Sequence, residues 1–330
     1  MRATTIACFC ALLSALGCSS DGGDKKPSTS SGGSTTKPPT SGWKAAVGDG
    51  GTLLETFDDR SWEVRKIGDR DLFAVSCIDD EVGWAVGARG FIGHTRDGGW
   101  SWPAQDSGVT STLRAISFAF ASDGSEVGLA VGDGATLLTT RDGGEHWTRV
   151  ALQSDGALRG TATTEGATLL VAVGDRGLVL RSTDFGRHFV SATLNGAGDL
   201  YDIALDAEGG LALAVDSTGA LWVSRDGAQT FELEHRAASA LESVSLGHSA
   251  TLGSAAGPGA LLLRTHEGTW RELSADGASL HATLVGPRED RAYFAGDDGA
   301  LFEASPTGAL SRDPSDTHAT LRGIEDLEAR

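Results

Sequence analysis

The amino-acid sequence predicts an all-β protein, a seven-bladed β-propeller whose C-terminal strand completes the first blade. One observation is a glycine that recurs at the end of an Ala-Val-type strand. It stands at Gly48, Gly87, Gly132, Gly174, Gly257 and Gly296, with Asp216 in the equivalent place. Successive copies are 39, 45, 42, 42, 41 and 39 residues apart. A second marker keeps step, an acidic residue ten positions on at Asp58, Asp97, Asp142, Asp184, Asp226 and Glu267. The third is the phase of the apolar residues, which form short β-branched and aromatic runs between Gly-Asp turns and hold no helical spacing. A fixed offset inside a fixed period means tandem copies of one supersecondary unit, and four short strands per copy make a propeller blade.

The chain begins Met1-Arg2, continues through an apolar run from Ala3 to Leu16, and reaches Gly17-Cys18. Residues 1–17 therefore read as an export signal, because the apolar run is too short for a permanent membrane helix. Ala15-Leu16-Gly17-Cys18 resembles a bacterial lipobox, which implies cleavage before Cys18 and lipidation of its thiol. An ordinary secretory signal or an uncleaved anchor is the alternative. Residues 18–42 read as a disordered tether, since Ser19 to Gly42 is Ser, Thr, Gly, Pro, Lys and Asp with nothing large and apolar to bury. As a flexible coil it reaches about 25–30 Å, enough to hold a folded body clear of a membrane surface. Cys8 and Cys10 leave with the signal and Cys18 takes lipid. The remaining Cys77 sits in an apolar strand and is expected to be a buried small hydrophobe.

Residues 43–330 show no composition break and read as one propeller. In the third repeat, strand A is expected over Leu113–Phe120, B over Val127–Val131, C over Thr136–Thr140 and D over His146–Val150. Strand A recurs as Leu72-Phe-Ala-Val75, Leu158-Arg-Gly-Thr161, Leu200-Tyr-Asp-Ile203, Leu241-Glu-Ser-Val244 and Leu280-His-Ala-Thr283. The first repeat opens at Trp43-Lys-Ala-Ala-Val47, already a B strand, and a surplus A strand, Leu321-Arg-Gly-Ile324, ends the chain. The surplus strand is expected to fill the vacancy, with Leu321–Leu327 beside Ala45–Val47, leaving a closed ring with few exposed sheet edges.

Asp97, Asp142, Asp184 and Asp226 are each followed five residues later by an aromatic, Trp102, Trp147, Phe189 and Phe231. Thr140-Arg-Asp-Gly-Gly-Glu-His-Trp147 and its copies match the Asp box. Repetition in blade after blade favours a structural role: the carboxylate accepts loop N–H groups, glycine supplies the left-handed turn, and the aromatic plugs between blades. With the Ala-Val-Gly-Asp turns, these tandem boxes resemble the BNR-type propellers of the photosystem II stability and assembly factor family over residues 43–327. That resemblance implies a seven-bladed scaffold that binds proteins during assembly. Asp boxes also occur in sialidases, which supplies the rival, a glycan-binding or glycan-cleaving propeller.

Selective contacts are expected at the second position of strand A, at the mouth of the central channel. From blade one to seven this position holds Arg322, Phe73, Arg114, Arg159, Tyr201, Glu242 and His281. A sialidase needs an activated tyrosine, an acid/base carboxylate and three arginines that clamp the sugar carboxylate. The ingredients are present, but sialidases have six blades and an arginine-isoleucine-proline signature that this chain lacks. The first residue of the B–C turn is acidic in blades one, three, four and seven, at Asp49, Asp133, Asp175 and Asp297, the blades with a basic mouth residue. Strands A and B are antiparallel, so each blade is expected to pair its own cation and carboxylate. Asp216 is expected to pair with Tyr201. Phe73, Tyr201, Glu242 and His281 are then expected to form an unpaired, chemically varied arc.

No metal-ligand spacing, phosphate loop, nucleotide-binding glycine fingerprint or nucleophile elbow is present, so no cofactor and no metal are expected. With 27 basic against 45 acidic residues and a net charge of −18, nucleic acid is not an expected partner. The sequence thus leads to an exported, lipid-anchored propeller in the bacterial cell envelope. It is expected to be no enzyme and to act by binding envelope proteins, with the membrane reached through the lipid.

Overall fold

The computed structural model describes residues 44–56, 62–79, 81–275, 277–286, 288–313 and 315–326. The export signal, Cys18, the tether, Asp58 and Leu327 lie outside the described residues. Among the described residues, the strands form seven four-stranded antiparallel sheets, each an A-B-C-D meander. In the third blade these are Leu113–Phe120, Glu126–Gly132, Thr136–Thr140 and Thr148–Arg149. Strands A and C follow the sequence expectation. Strand D is shorter than expected, because His146 is held in the preceding loop by Asp142 and Trp147 packs inward. In blade six, pairing of strand A begins at Ser243 rather than Leu241.

The ring closes as the repeat count requires. Strand Leu321–Asp326 lies antiparallel beside Lys44–Gly48, pairing Ala45 with Glu325, Ala46 with Ile324 and Val47 with Gly323. Sheet one therefore joins the two ends of the propeller, and loop closure across almost the whole chain is secured by main-chain bonds.

Each blade is fastened to the next by burial. Strand B is buried along its length in blades one, two, four, five, six and seven, as in Gly83–Gly87 and Ala212–Asp216. The leucine that opens strand A is almost wholly buried in every blade, from Leu72 to Leu321. The Asp-box aromatics fill the seams. Trp102 of blade two packs on a cluster that joins Ala45 and Val47 of blade one to Leu72 and Val75 of blade two, and Trp147 of blade three on one that joins Trp84 of blade two to Phe118 of blade three. Phe189 and Phe231 do the same one and two blades on. Removing such large apolar surfaces from water contributes on the order of 2–3 kcal/mol per side chain. Cys77 is buried and free.

The Asp boxes are internal hydrogen-bond knots. Asp142 Oδ1 accepts the Thr140 hydroxyl at 2.7 Å and the His146 N–H at 3.0 Å, while its Oδ2 meets His146 Nδ1 at 2.8 Å. Thr140 Oγ1 in turn accepts the Gly144 N–H at 2.9 Å. The pattern repeats around Asp97, Asp184 and Asp226. At Asp142 and Asp97, burial pushes the carboxyl upward, and the loop's hydrogen bonds outweigh it and hold both below the usual range. Asp184, held first by the His188 N–H, and Asp226, held first by the Thr230 hydroxyl, also lie well below it.

Two outcomes follow. Deleting residues 319–330 removes the closing strand, and calorimetry is expected to show the melting temperature falling by about 10 °C or more; an unchanged melt contradicts the closure. Asp142→Ala is expected to cost about 1–3 kcal/mol in denaturant unfolding, through loop donors left without an acceptor. Because the depressed carboxylate stabilises above its unfolded pKa and loses that contribution on acidification, the penalty should shrink below about pH 4.

Candidate functional site

The geometry of the mouth begins with the repeated glycine. A Cβ on Gly132 would lie 2.0 Å from the Thr112 carbonyl oxygen, and one on Gly174 would lie 2.2 Å from that of Ala157. The same close approach occurs at Gly48, Gly87, Gly257 and Gly296. It allows the N–H of the next residue to reach that carbonyl, as in Asp133 to Thr112 at 3.0 Å and Asp175 to Ala157 at 3.0 Å. The B–C turn is thereby pinned against the start of strand A. Immediately after that pin the A–B register slips by one residue, at Phe73, Arg114, Arg159, Tyr201, His281 and Arg322. A bulge re-aims the side chain it frees. In blade six the paired strand starts after Glu242, whose N–H donates to Ala256 O at 2.7 Å. All seven second-position side chains are half-buried and border the axial cavity of about 280 Å³.

The basic residues are held by their own blades, as the alternation predicted. Arg114 donates from Nε to Asp133 Oδ1 at 2.5 Å and from a terminal nitrogen to Oδ2 at 3.1 Å. Arg159 Nε meets Asp175 at 2.7 Å, and Arg322 Nε meets Asp49 at 2.8 Å. In blade seven His281 Nε2 lies 3.1 Å from Asp297. Three carboxylates thus grip the guanidiniums by their Nε edges. The arrangement that a sialidase needs, three arginines converging free of acidic partners, is not the one found.

Two expectations are corrected. Asp216 does not pair with Tyr201. It is wholly buried and accepts hydrogen bonds from the Gly198, Thr218 and Ala220 N–H groups, the Thr218 hydroxyl and the Trp222 indole. A side chain at the glycine position has turned inward and reinforces a turn whose main-chain pin, Ser217 N–H to Asp199 O at 2.9 Å, is still made. Nor do Phe73, Tyr201, Glu242 and His281 form an unpaired arc. Phe73 lies between the guanidiniums of Arg322 and Arg114, 5.4 and 5.7 Å from its ring centre. Arg159 stands over the Tyr201 ring at 5.1 Å. Glu242 meets His281 Nδ1 at 2.6 Å. Seven blades crowd these side chains around one axis, so each finds its partner on the blade beside it.

The result is a mouth with two characters. Blades one to five present three guanidiniums and two aromatic rings, and blades six and seven present carboxylate, imidazole and carboxylate. The hydrogen bond that His281 donates to the Glu242 carboxylate, against the opposing effect of burial, raises the His281 pKa above its ordinary value, and Asp297 adds to it. Asp297 itself lies below its usual range, burial being outweighed by Thr320 and His281.

Sequence reasoning missed Asp202. The third position of strand A is Ala74, Ala115, Gly160, Ser243, Ala282 or Gly323 in the other blades. Asp202 is the exception, and the outlier at a small-residue position was the available signal. Its carboxylate crosses to blade six, accepting the Val244 N–H at 2.9 Å and the Ser243 hydroxyl at 3.1 Å. Burial pushes it up to about 6, despite the Val244 and Ile203 N–H groups that pull the other way.

The Glu242–His281 pair is open to a direct check. In an NMR titration His281 is expected to titrate above 6.5, and Glu242→Gln to lower that value. A raised imidazole pKa stabilises below the unfolded value and loses that contribution as pH rises through the folded one. The Glu242→Gln penalty should therefore be larger at pH 5.5 than at pH 8.5.

The propeller is similar in fold to two solved structures. One, described as YCF48 bound to D1 peptide, superposes with a TM-score of 0.59 at 18% identity, over 79% of this chain and 94% of that chain. The other, YCF48 from Cyanidioschyzon merolae, gives 0.59 at 18% identity, over 76% of this chain and 87% of that chain. No protein with a curated description matches the sequence. A family profile described as Photosynthesis system II assembly factor YCF48 matches residues 54–317, most of the folded body, and the chain belongs to that family.

Proposed function

We propose that the chain is a non-enzymatic assembly scaffold that holds a segment of a partner protein at the propeller mouth. In this reading the body is exported and tethered in the bacterial cell envelope by a lipid on Cys18. The family supports a protein-binding role, and a structural neighbour is described with a bound peptide. The observation that carries the reading is the preordered mouth. Arg322, Phe73, Arg114, Arg159 and Tyr201 are interleaved by cation–π contacts, and three of them are anchored to turn carboxylates. Side chains fixed in advance lose little freedom on binding, which favours recognition of an extended polypeptide with polar and planar groups.

The supports act on position rather than on reactivity. Asp133, Asp175 and Asp49 set each guanidinium's direction, and the aromatic faces keep it from collapsing into the channel. A tyrosine nucleophile would need a neighbouring base, and the nearest turn carboxylate in blade five, Asp216, is committed to the turn and to Trp222. The bound segment is expected to read both halves of the mouth, with acidic or carbonyl groups toward blades one to four and a basic group toward Glu242 and Asp297.

The test joins anchorage and contact. Membranes carrying the full-length chain are crosslinked, the captured partner is identified, and its affinity is measured for the wild type and for Phe73→Ala/Tyr201→Ala/His281→Ala. The triple variant is expected to bind at least about tenfold more weakly, on the scale of lost interface anchors, with a melting temperature close to wild type. Cys18→Ser is expected to move the protein from the membrane to the soluble fraction. Equal affinity in the triple variant places the contact elsewhere, and unchanged fractionation of Cys18→Ser rejects the lipid anchor.

A further inference from the structure

A second surface lies on the outer rim of blade four, independent of the mouth. The outermost strand there, Val190–Thr193, is exposed at every residue, and Val190 is 73% exposed. Its inner side pairs with strand Leu178–Ser182, Ala192 facing Val179 and Val190 facing Arg181. Leu194 N–H donates to Gly177 O at 2.8 Å. Bonded pairs alternate along an antiparallel ladder, so Ala192 and Val190 face inward and the N–H and C=O of Ser191 and Thr193 point out. Among the described residues nothing bonds to those outward groups.

Outer strands elsewhere in the ring are guarded. Glu63–Lys66, Thr148–Arg149, Glu232–Arg236, Trp270–Glu272 and Leu310–Asp313 each carry charged side chains, and Ala104–Gln105 is only two residues long. Charge and brevity are how sheets protect their edges. From Phe189 to Gly198 the blade-four edge has no charge at all, in a chain of net charge −18. Beside it a cavity of about 250 Å³ opens between Ala192 and Leu194 of this edge and Ala228 and Phe231 of the blade-five Asp box. At its leading end Arg187 is exposed and has no ion pair among the described residues.

We propose that the edge Val190–Thr193 accepts an extended segment of a partner protein as a fifth strand of blade four. Ser191 and Thr193 supply the main-chain bonds. Alternate apolar side chains of the segment enter the cavity against Leu194 and Phe231, and a carboxylate of the segment meets Arg187. Main-chain pairing of this kind gives affinity, and the pocket and the cation give selection and direction. A second copy of this chain fits less well, because two bodies of like charge would meet edge to edge.

The probe is an end-capped peptide, Asp-Thr-Val-Thr-Val-Thr, titrated into the full-length chain and followed by NMR and calorimetry. A control peptide has Lys in place of Asp. The Asp peptide is expected to bind, to slow hydrogen exchange at Ser191 and Thr193, and to bind better than the Lys peptide. Ser191→Pro removes an outward donor without breaking an inward bond, since proline is tolerated on an outer edge. It should weaken binding about tenfold or more with an unchanged melt, the loss expected for main-chain bonds at an edge. If that variant folds poorly, Ala192→Lys, which guards the edge as the other blades do, is expected to give the same loss. Arg187→Glu should abolish or reverse the preference for Asp over Lys. No binding by the wild type, equal binding by the edge variants, or a wild-type dimer that Ser191→Pro dissolves would each overturn the proposal.

Discussion

One short contact organises the propeller: the backbone of strand B, at its terminal glycine, lies directly on the carbonyl that precedes strand A. There is no room for a Cβ between Gly132 and Thr112 O, or between Gly174 and Ala157 O. In every blade but the sixth, where Pro258 has no N–H, the B–C turn donates its first N–H to the carbonyl before strand A, which gives those blades a rigid corner. The bulge that follows turns the second residue of strand A into the mouth. A backbone constraint therefore decides where side chains stand, and side-chain identity is free to vary at that place. Blade five shows the constraint from the other side. There Asp216 replaces the glycine, the Ser217 N–H still reaches Asp199 O at 2.9 Å, and the Asp216 carboxylate adds bonds to the turn and to Gly198.

The corners need a ring to face, and the ring is held at two radii. Near the axis, strand A packs on strand A, with small residues at the third position and Asp202 bonded across to Val244. Toward the rim, Trp102, Trp147, Phe189 and Phe231 plug successive seams, each carried by a loop that its Asp box makes rigid. The C-terminal strand Leu321–Asp326 turns the stack into a closed circle. Preorganisation of the mouth depends on all three devices, because a guanidinium on one blade is positioned against an aromatic ring on the next.

Much of this was legible in the sequence because it repeats. Blade count, closure and the Asp boxes recur with a fixed period, and the matched occurrence of arginine and aspartate in blades one, three and four forecast their pairing. What repetition cannot reveal is contact between neighbouring blades with different residues. Phe73 between two guanidiniums and Glu242 on His281 depend on lateral spacing around the axis, which no position in a single repeat encodes. The partner of Asp216 was misjudged for a related reason. Its buried neighbours are main-chain N–H groups and the Trp222 indole, and these compete for a carboxylate better than a tyrosine at the mouth. The bulge was equally hidden, since a register shift of one residue leaves no mark in composition. The expected short strand in blade three likewise failed only where a side-chain contact, His146 to Asp142, held the chain out of the ladder.

The central claim is that the repeated glycine serves close approach rather than backbone freedom, and a pair of substitutions in one turn separates the two. Gly132 has no left-handed φ but would place a Cβ 2.0 Å from a carbonyl oxygen, whereas Gly134 has φ +63° with open space around it. Denaturant unfolding of Gly132→Ala and Gly134→Ala measures each cost. The account predicts about 1 kcal/mol for Gly134→Ala, the usual cost of a left-handed alanine. For Gly132→Ala it predicts more than twice that, with the strain of a displaced main-chain pin. A Gly132→Ala variant no less stable than Gly134→Ala would contradict it.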